Sequence, residues 1–293
     1  MKIAVYGKAF KLDARPHIEG LYKRLIEEGI EIALYDRLEA FLHEHCEWKN
    51  EHPTFANHKQ LKAFDPDFLI TIGGDGTILD AVTLVRNNRI PILGINTGRL
   101  GFLSNVAKEE IDASIDKLLS GNYVINPRYT LMVTTDDDTQ PEPNFALNEV
   151  TVSRKGTTSM ITVHTYINDE YLNSYWADGL IVATTTGSTG YSLSCGGPIM
   201  MPGSKNFVIT PIAPHNLTVR PFVIPSDFKI RLQIEGRENE YLLSLDSRIY
   251  SYRNEVELFL QRSEVTILLV QTDLQSFPST LRNKLVWGLD RRN

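Results

Sequence analysis

The sequence predicts an α/β domain with a parallel, Rossmann-like sheet, followed by a β-rich, sandwich-like domain. Three observations lead there. Residues 1–126 alternate short apolar strands with helical patterns, and after Asn126-Pro127 the patterning turns to period two. One strand exit carries three glycines around an aspartate, Gly73-Gly74-Asp75-Gly76. Strands separated by helices imply a parallel sheet covered on both faces, whereas alternation buries one face and wets the other. A chain of 293 residues is long enough for two cores, since single cores stop growing at roughly 250–300 residues.

In the first domain, residues 3–6 and 31–35 read as strands. Between them a helix over 14–28 carries Ile18, Leu21, Leu25 and Ile26 at helical spacing and is ended by Gly29. Residues 68–72 and 90–95 supply two more strands, with a helix over 77–87 between them. A further helix over 108–119 places Glu109 and Glu110 near its positive end, and Gly121 stops it. The second domain, 127–270, reads as strands at 129–134, 146–153, 161–167, 180–184, 207–212, 229–234, 241–245, 256–260 and 265–269. The tail, 271–293, with its run from Phe277 to Trp287, is expected to return to the first domain.

Composition is that of an ordinary globule, 42% hydrophobic and 23% charged, with a formal charge of -6. That balance argues against a large nucleic-acid footprint. No apolar run reaches the roughly 18 residues that span a bilayer, and Met1 to Tyr6 reads as a strand rather than a signal peptide. Cys46 and Cys195 lie far apart and suggest no disulfide framework. The expectation is a cytoplasmic protein with neither membrane nor nucleic-acid partners.

The strand exit at Gly73-Gly74-Asp75-Gly76-Thr77 supports two readings. It is a phosphate site with a functional carboxylate, or a structural βα turn in which Asp75 satisfies nearby N–H groups. A second glycine-containing exit, Asn96-Thr97-Gly98-Arg99-Leu100-Gly101-Phe102, brings further donors to the same sheet edge. Neither is a Walker A loop or a dinucleotide fingerprint.

In the β-rich part, Asn148-Glu149 interrupts an apolar strand and suits the vicinal hydroxyls of a ribose, or else marks an edge facing water. Asp178-Gly179 leads into a Gly/Ser/Thr-rich stretch holding Thr186, Thr189, Gly190, Tyr191 and Ser194. That stretch is a set of small donors with an aromatic face, or a polar turn with Tyr191 packed on the core. His215 follows a strand, facing a cleft or packing in a turn. Asp246-Ser247-Arg248 places both signs of charge at a strand end, or forms a surface turn. His43, His45, Cys46, His52 and His58 fit no standard zinc spacing and read as an exposed helix end and loop. The three aspartates at 136–138 read likewise as an exposed loop.

Taken together, Gly73 to Thr77, Asn96-Thr97-Gly98 with Leu100 to Leu103, Asn148-Glu149, Asp178-Gly179, Thr186 to Thr189, Gly196-Gly197-Pro198 and Thr210-Pro211-Ile212 resemble the NAD kinase family, in order and over nearly the whole chain. Lipid kinases and phosphofructokinases share the Gly-Gly-Asp-Gly loop alone. The resemblance implies transfer of a phosphate from ATP to the 2'-hydroxyl of the adenosine ribose of NAD, giving NADP. It also implies a divalent cation such as Mg2+ and a homodimer or homotetramer. Asp75 would be the base, and Gly73, Gly74, Gly76, Thr77, Asn96, Gly98, Gly101 and Phe102 would receive phosphates. Asn148 and Glu149 would hold ribose hydroxyls and the diphosphate region, and Asp178 the nicotinamide amide. Thr186, Thr189, Gly190, Tyr191, Ser194, His215 and Asp246 complete the expected nucleotide pockets. Gly190 stands where the family usually has alanine, and Ser247 and Arg248 depart from the common Asp-Gly-Gln-like turn.

Overall fold

Continuous apolar runs, rather than alternating ones, form the first strands, as a sheet covered on both faces requires. The computed structural model describes residues 1–272, apart from 47, 49, 50, 99, 105, 157 and 158, and residues 277–285. Two units result. One comprises Met1–Pro127 together with the chain from Ile267 onward, and the other Arg128–Thr266.

Unit one pairs β1 (Lys2–Tyr6), β2 (Glu31–Tyr35), β3 (Thr54–Phe55), β4 (Phe68–Ile72) and β5 (Ile92–Asn96) in parallel, in the spatial order β3-β2-β1-β4-β5, with β6 (Val106–Ala107) beside β5. The strand order reverses between β1 and β4, and ligands of such sheets bind outside the carboxyl ends at that reversal. All five residues of β4 are buried, and its carboxyl end leads into Gly73.

The helices of this unit are α1 (Arg15–Glu27), α2 (Asp36–His45), α3 (His58–Phe64), α4 (Asp75–Val85) and α5 (Ile111–Leu119). α1 starts with Pro16 in its first turn and buries Ile18, Leu21, Tyr22 and Leu25. α4 begins two residues before its expected start, because Gly74 takes the N-cap position and Asp75 enters the first turn. The segment 108–110 is a 3-10 turn that feeds α5. α2 supplies the helix end read at His43 and His45, and α3 has no counterpart in the sequence patterning. α3 buries only Leu61, so it shows no apolar stripe; instead Asn57 caps it, its side chain accepting from the N–H of Lys59 and Gln60 at 3.0 and 3.1 Å.

Unit two is antiparallel. Its strands are β7 (Val124–Thr135, starting in unit one), β8 (Phe145–Ala146), β9 (Glu149–Arg154), β10 (Ile161–Ile167), β11 (Glu170–Ala177) and β12 (Gly179–Ala183). After the short α6 (Tyr191–Ser194) come β13 (Asn206–Ile212), β14 (Phe222–Pro225), β15 (Ile230–Glu235), β16 (Glu240–Leu245), β17 (Arg248–Arg253) and β18 (Leu258–Gln271). One sheet runs β14-β13-β12-β9-β16-β17, and the other runs β11-β10-β15-β18 with β7 and β8 beyond. Val152, Leu180 and Leu243 from the first meet Val163, Leu232 and Leu260 from the second in one core.

Three strands escaped the sequence patterning. β11 exposes Tyr171 and Trp176, β14 exposes Phe222 and Val223, and β17 exposes Ile249. Apolar residues on both faces of edge strands erase the alternation. Conversely, the strand expected at 146–153 is broken between β8 and β9, and the two expected at 256–260 and 265–269 are one continuous β18.

Past Ile267 the chain is part of unit one, where Leu269 pairs in parallel with Ile92. α7 (Phe277–Leu285) buries Leu281 and sets Phe277 6.5 Å from the ring of Phe102, over which Lys284 Nζ lies at 4.8 Å. Val286 and Trp287 lie outside the described residues. Among the described residues no helix is long and apolar enough to cross a membrane.

Candidate active site

The carboxyl end of β4 turns sharply because Gly73 adopts a φ of +150°. A Cβ there would stand 2.1 Å from Thr77 Oγ1, so only glycine fits. Gly74 and Gly76 face open space, which leaves the backbone at the start of α4 uncovered. Asp75 then reaches across to the second glycine exit. Its Oδ2 accepts from Phe102 N–H at 2.8 Å, and its Oδ1 accepts from Leu103 and Ser104 N–H at 3.1 and 2.9 Å. The approach is so close that a Cβ on Gly101 would lie 1.7 Å from Asp75 Oδ1. Asn96 is buried, and its Oδ1 accepts from Gly98 N–H at 2.7 Å, shaping the exit rather than facing outward. Ser104, which the sequence reading passed over, donates its hydroxyl to Gly73 O at 3.2 Å and ties the two exits together. Arg99 lies outside the described residues.

A carboxylate offers about four lone-pair positions. Three of those on Asp75 are taken by the main chain, and Oδ2 keeps one acceptor position. Asp75 thus satisfies nearby N–H groups, as the structural reading of the strand exit has it, and retains one lone pair on Oδ2.

Unit two carries a second constellation. Asn148 and Glu149 lie beside the turn at Gly187 to Gly190, where a Cβ on Gly190 would stand 3.0 Å from Glu149 Oε2 and 3.6 Å from Asn148 Nδ2. Asn148 Oδ1, Glu149 Oε2 and Thr186 Oγ1 are buried and have no hydrogen-bond partner. Each such atom costs on the order of 1–3 kcal/mol unless something pairs with it. Burial, assisted by the nearby Asp246, pushes the Glu149 carboxyl up to about 8. Burial also raises Asp246, but three N–H groups hold its charged form: Leu147, Asn148 and Glu149 donate to it at 2.9, 2.7 and 3.2 Å. Glu149 Oε2 has no such donor, and its carboxyl keeps a proton near neutral pH. The main chain that carries Asn148 and Glu149 takes three acceptor positions of Asp246, and Oδ2 keeps one, as at Asp75.

Thr184, also passed over, organises the same corner. Its hydroxyl donates to Leu147 O at 2.6 Å and accepts from Thr186 and Gly187 N–H at 3.1 and 3.2 Å. Thr189 donates to Thr186 O at 3.3 Å.

Asp178 is held by the Arg154 guanidinium, with Nε to Oδ1 at 3.0 Å and an Nη to Oδ2 at 3.3 Å. Sequence reasoning missed Arg154, which lies 24 residues away and is brought beside it by the pairing of β9 with β12. Tyr191 is 47% exposed, so it does not pack on the core, and Ser194 is exposed at the end of α6. His215 is exposed, and its ring lies tilted against Trp176 with centroids 4.3 Å apart. The histidine-rich stretch gives no centre. His43 and His45 end α2, and His58 Nδ1 pairs with Leu84 O at 2.8 Å. Among the described residues no group of three or more His, Cys, Asp or Glu is placed to hold a metal ion.

A Rossmann-like unit with a glycine-framed aspartate at its sheet edge, and a β unit with buried, unpaired acceptors, point to a class: nucleotide phosphotransferases. The sequence narrows it. Residues 14–123 match the ATP-NAD kinase N-terminal domain, and residues 147–271 the ATP-NAD kinase C-terminal domain. The NAD kinase of Flavobacterium johnsoniae is 51% identical over 296 aligned positions, covering 100% of both chains. An NAD kinase from Archaeoglobus fulgidus, solved in complex with ATP, superposes with a TM-score of 0.75 at 26% identity, covering 98% of each chain. Yeast NADH kinase complexed with NADH gives a TM-score of 0.87 at 23% identity, covering 99% of this chain and 89% of that one, and speaks for the fold alone. The chain belongs to the NAD kinase family and is an ATP-dependent enzyme of that family.

Proposed function

We propose that this NAD kinase transfers the terminal phosphate of ATP to the 2'-hydroxyl of the adenosine ribose of NAD, with Asp75 accepting the hydroxyl proton. The observation that carries the reading is the set of buried, partnerless acceptors Asn148 Oδ1, Glu149 Oε2 and Thr186 Oγ1. Two vicinal hydroxyls can donate to two of them while the Thr186 hydroxyl donates back to a hydroxyl oxygen, and a protonated Glu149 both donates and accepts without repelling the diphosphate of NAD.

An alcohol is a poor nucleophile at neutral pH, and the free acceptor position on Asp75 Oδ2 can take its proton as the phosphorus–oxygen bond forms. The uncovered backbone at Gly74 and Gly76, at the positive end of α4, supplies N–H groups for phosphate oxygens. Alignment and charge neutralisation contribute most of the rate in such transfers. A divalent cation of the Mg2+ type takes one or two carboxylates with substrate phosphates and water; because the one free position on Asp75 takes the proton, Asp75 would hold such a cation only through water. Bound there, the cation would neutralise charge on the triphosphate.

The same reading includes a cytoplasmic homodimer or homotetramer. Its support is the exposed apolar surface of Tyr171, Phe222 and Val223 on β11 and β14, together with two unpaired cysteines.

Asp75→Asn tests the base. The variant is expected to bind NAD within a few-fold of the wild type by titration calorimetry. Its kcat should fall by roughly 10²–10⁴. Turnover within a few-fold of normal would remove Asp75 from that role.

A further inference from the structure

Asn148 and Glu149 are neighbours in sequence, and neighbours in a regular strand point to opposite faces. Here both side chains reach one place, the turn at Gly190, at 3.6 and 3.0 Å from its built Cβ. A break in the strand makes this possible: β8 ends at Ala146 and β9 begins at Glu149. Leaving the ladder strands the N–H groups of the break, and something must satisfy them.

The turn between β16 and β17 does so with both signs of charge. Asp246, in a left-handed conformation with φ +52°, accepts from the N–H of Leu147, Asn148 and Glu149, while its own N–H donates to Glu149 O at 3.0 Å. Two residues on, the Arg248 guanidinium donates to the carbonyls of Pro143 and Phe145. The carboxylate thus holds the donors on one side of the break and the guanidinium holds the acceptors on the other. A surface turn needs neither.

We propose that Asp246 and Arg248 are positioning residues for NAD, clamping the 143–149 main chain so that Asn148 and Glu149 converge on one side. This rests on the ribose reading of Asn148 and Glu149. Neither clamp residue needs to touch substrate to act in this way.

The test uses the full chain and the variants Asn148→Ala, Asp246→Asn, Arg248→Met and Arg248→Lys, each checked for folding by circular dichroism. Asp246→Asn and Arg248→Met are expected to raise KM for NAD by roughly tenfold, the scale of one lost charge-assisted hydrogen bond. KM for ATP should move by less than about threefold, and Arg248→Lys should recover part of the loss. Each clamp variant combined with Asn148→Ala should be no worse for NAD than Asn148→Ala alone, because the clamp acts through that residue. If Asp246→Asn does not fold, Arg248→Met, whose side chain is part-exposed, gives the same reading. Unchanged KM for NAD in a folded clamp variant, or equal losses for NAD and ATP, would overturn the proposal. Unchanged KM for NAD in Asn148→Ala would instead overturn the ribose reading beneath it.

Discussion

Replacing Glu149 with glutamine is expected to stabilise the ligand-free protein, by an amount that grows with pH. Burial, helped by the charge on Asp246, lifts the Glu149 carboxyl from 4.5 to about 8. In the unfolded chain the same group ionises near 4.5. Below that value both states hold the proton and the group costs nothing. As pH rises, the unfolded chain gives up its proton while the native state keeps it. Stability therefore falls through the window from 4.5 to about 8 and is flat above it. The gap corresponds to a ceiling of about 5 kcal/mol at 1.36 kcal/mol per pH unit. Relaxation and water entry bring the realised figure to a fraction of that, on the order of 1–3 kcal/mol. Glutamine carries no charge at any of these pH values, so it removes the penalty while keeping one donor group and one acceptor. The assay is urea denaturation of apo wild type and Glu149→Gln at pH 5, 7 and 9. The difference should be near zero at pH 5 and largest at pH 9. A difference independent of pH, or a glutamine variant less stable at pH 9, would refute the assignment of the proton to Glu149.

Two further expectations follow from close approaches. Gly101→Ala would put a methyl 1.7 Å from Asp75 Oδ1, so the loop must move off the carboxylate. Activity should drop by at least tenfold and thermal stability should fall by about 1–3 kcal/mol; a variant with wild-type kcat and Tm would show that the loop yields freely. Thr184→Val keeps the shape but leaves Leu147 O without its donor and the N–H groups of Thr186 and Gly187 without their acceptor. A loss of about 1–3 kcal/mol per stranded group that stays buried is expected by denaturation. Threonine-like stability would mean that water takes over those bonds.

Much of the fold was legible because burial on both faces writes an unmistakable run. The sequences of β1, β4 and β5 carry no charged residue between their first and last positions, and Gly73 to Gly76 can mean little other than a tight, uncovered turn. Legibility failed where long-range contacts replaced local pattern. α3 is held by the Asn57 cap and a single buried leucine, and the edge strands β11 and β14 keep apolar side chains exposed. The break at Asn148 was invisible because Ala146 to Val150 reads as a strand until a turn 98 residues away takes its N–H groups.

The chemistry divides the same way. Residue type and order alone determined that a carboxylate stands at a phosphate-sized turn, that an amide and a carboxyl sit side by side in an apolar strand, and that these belong to one family. Side-chain identity and chain order are local facts, and they survive without a structure. Only the tertiary structure decided how many lone pairs Asp75 has left, that Glu149 is buried deeply enough to hold a proton, and why Asn148 and Glu149 face the same way. Those depend on which backbone groups fold against a side chain, and hydrogen-bond geometry acts only over about 3 Å.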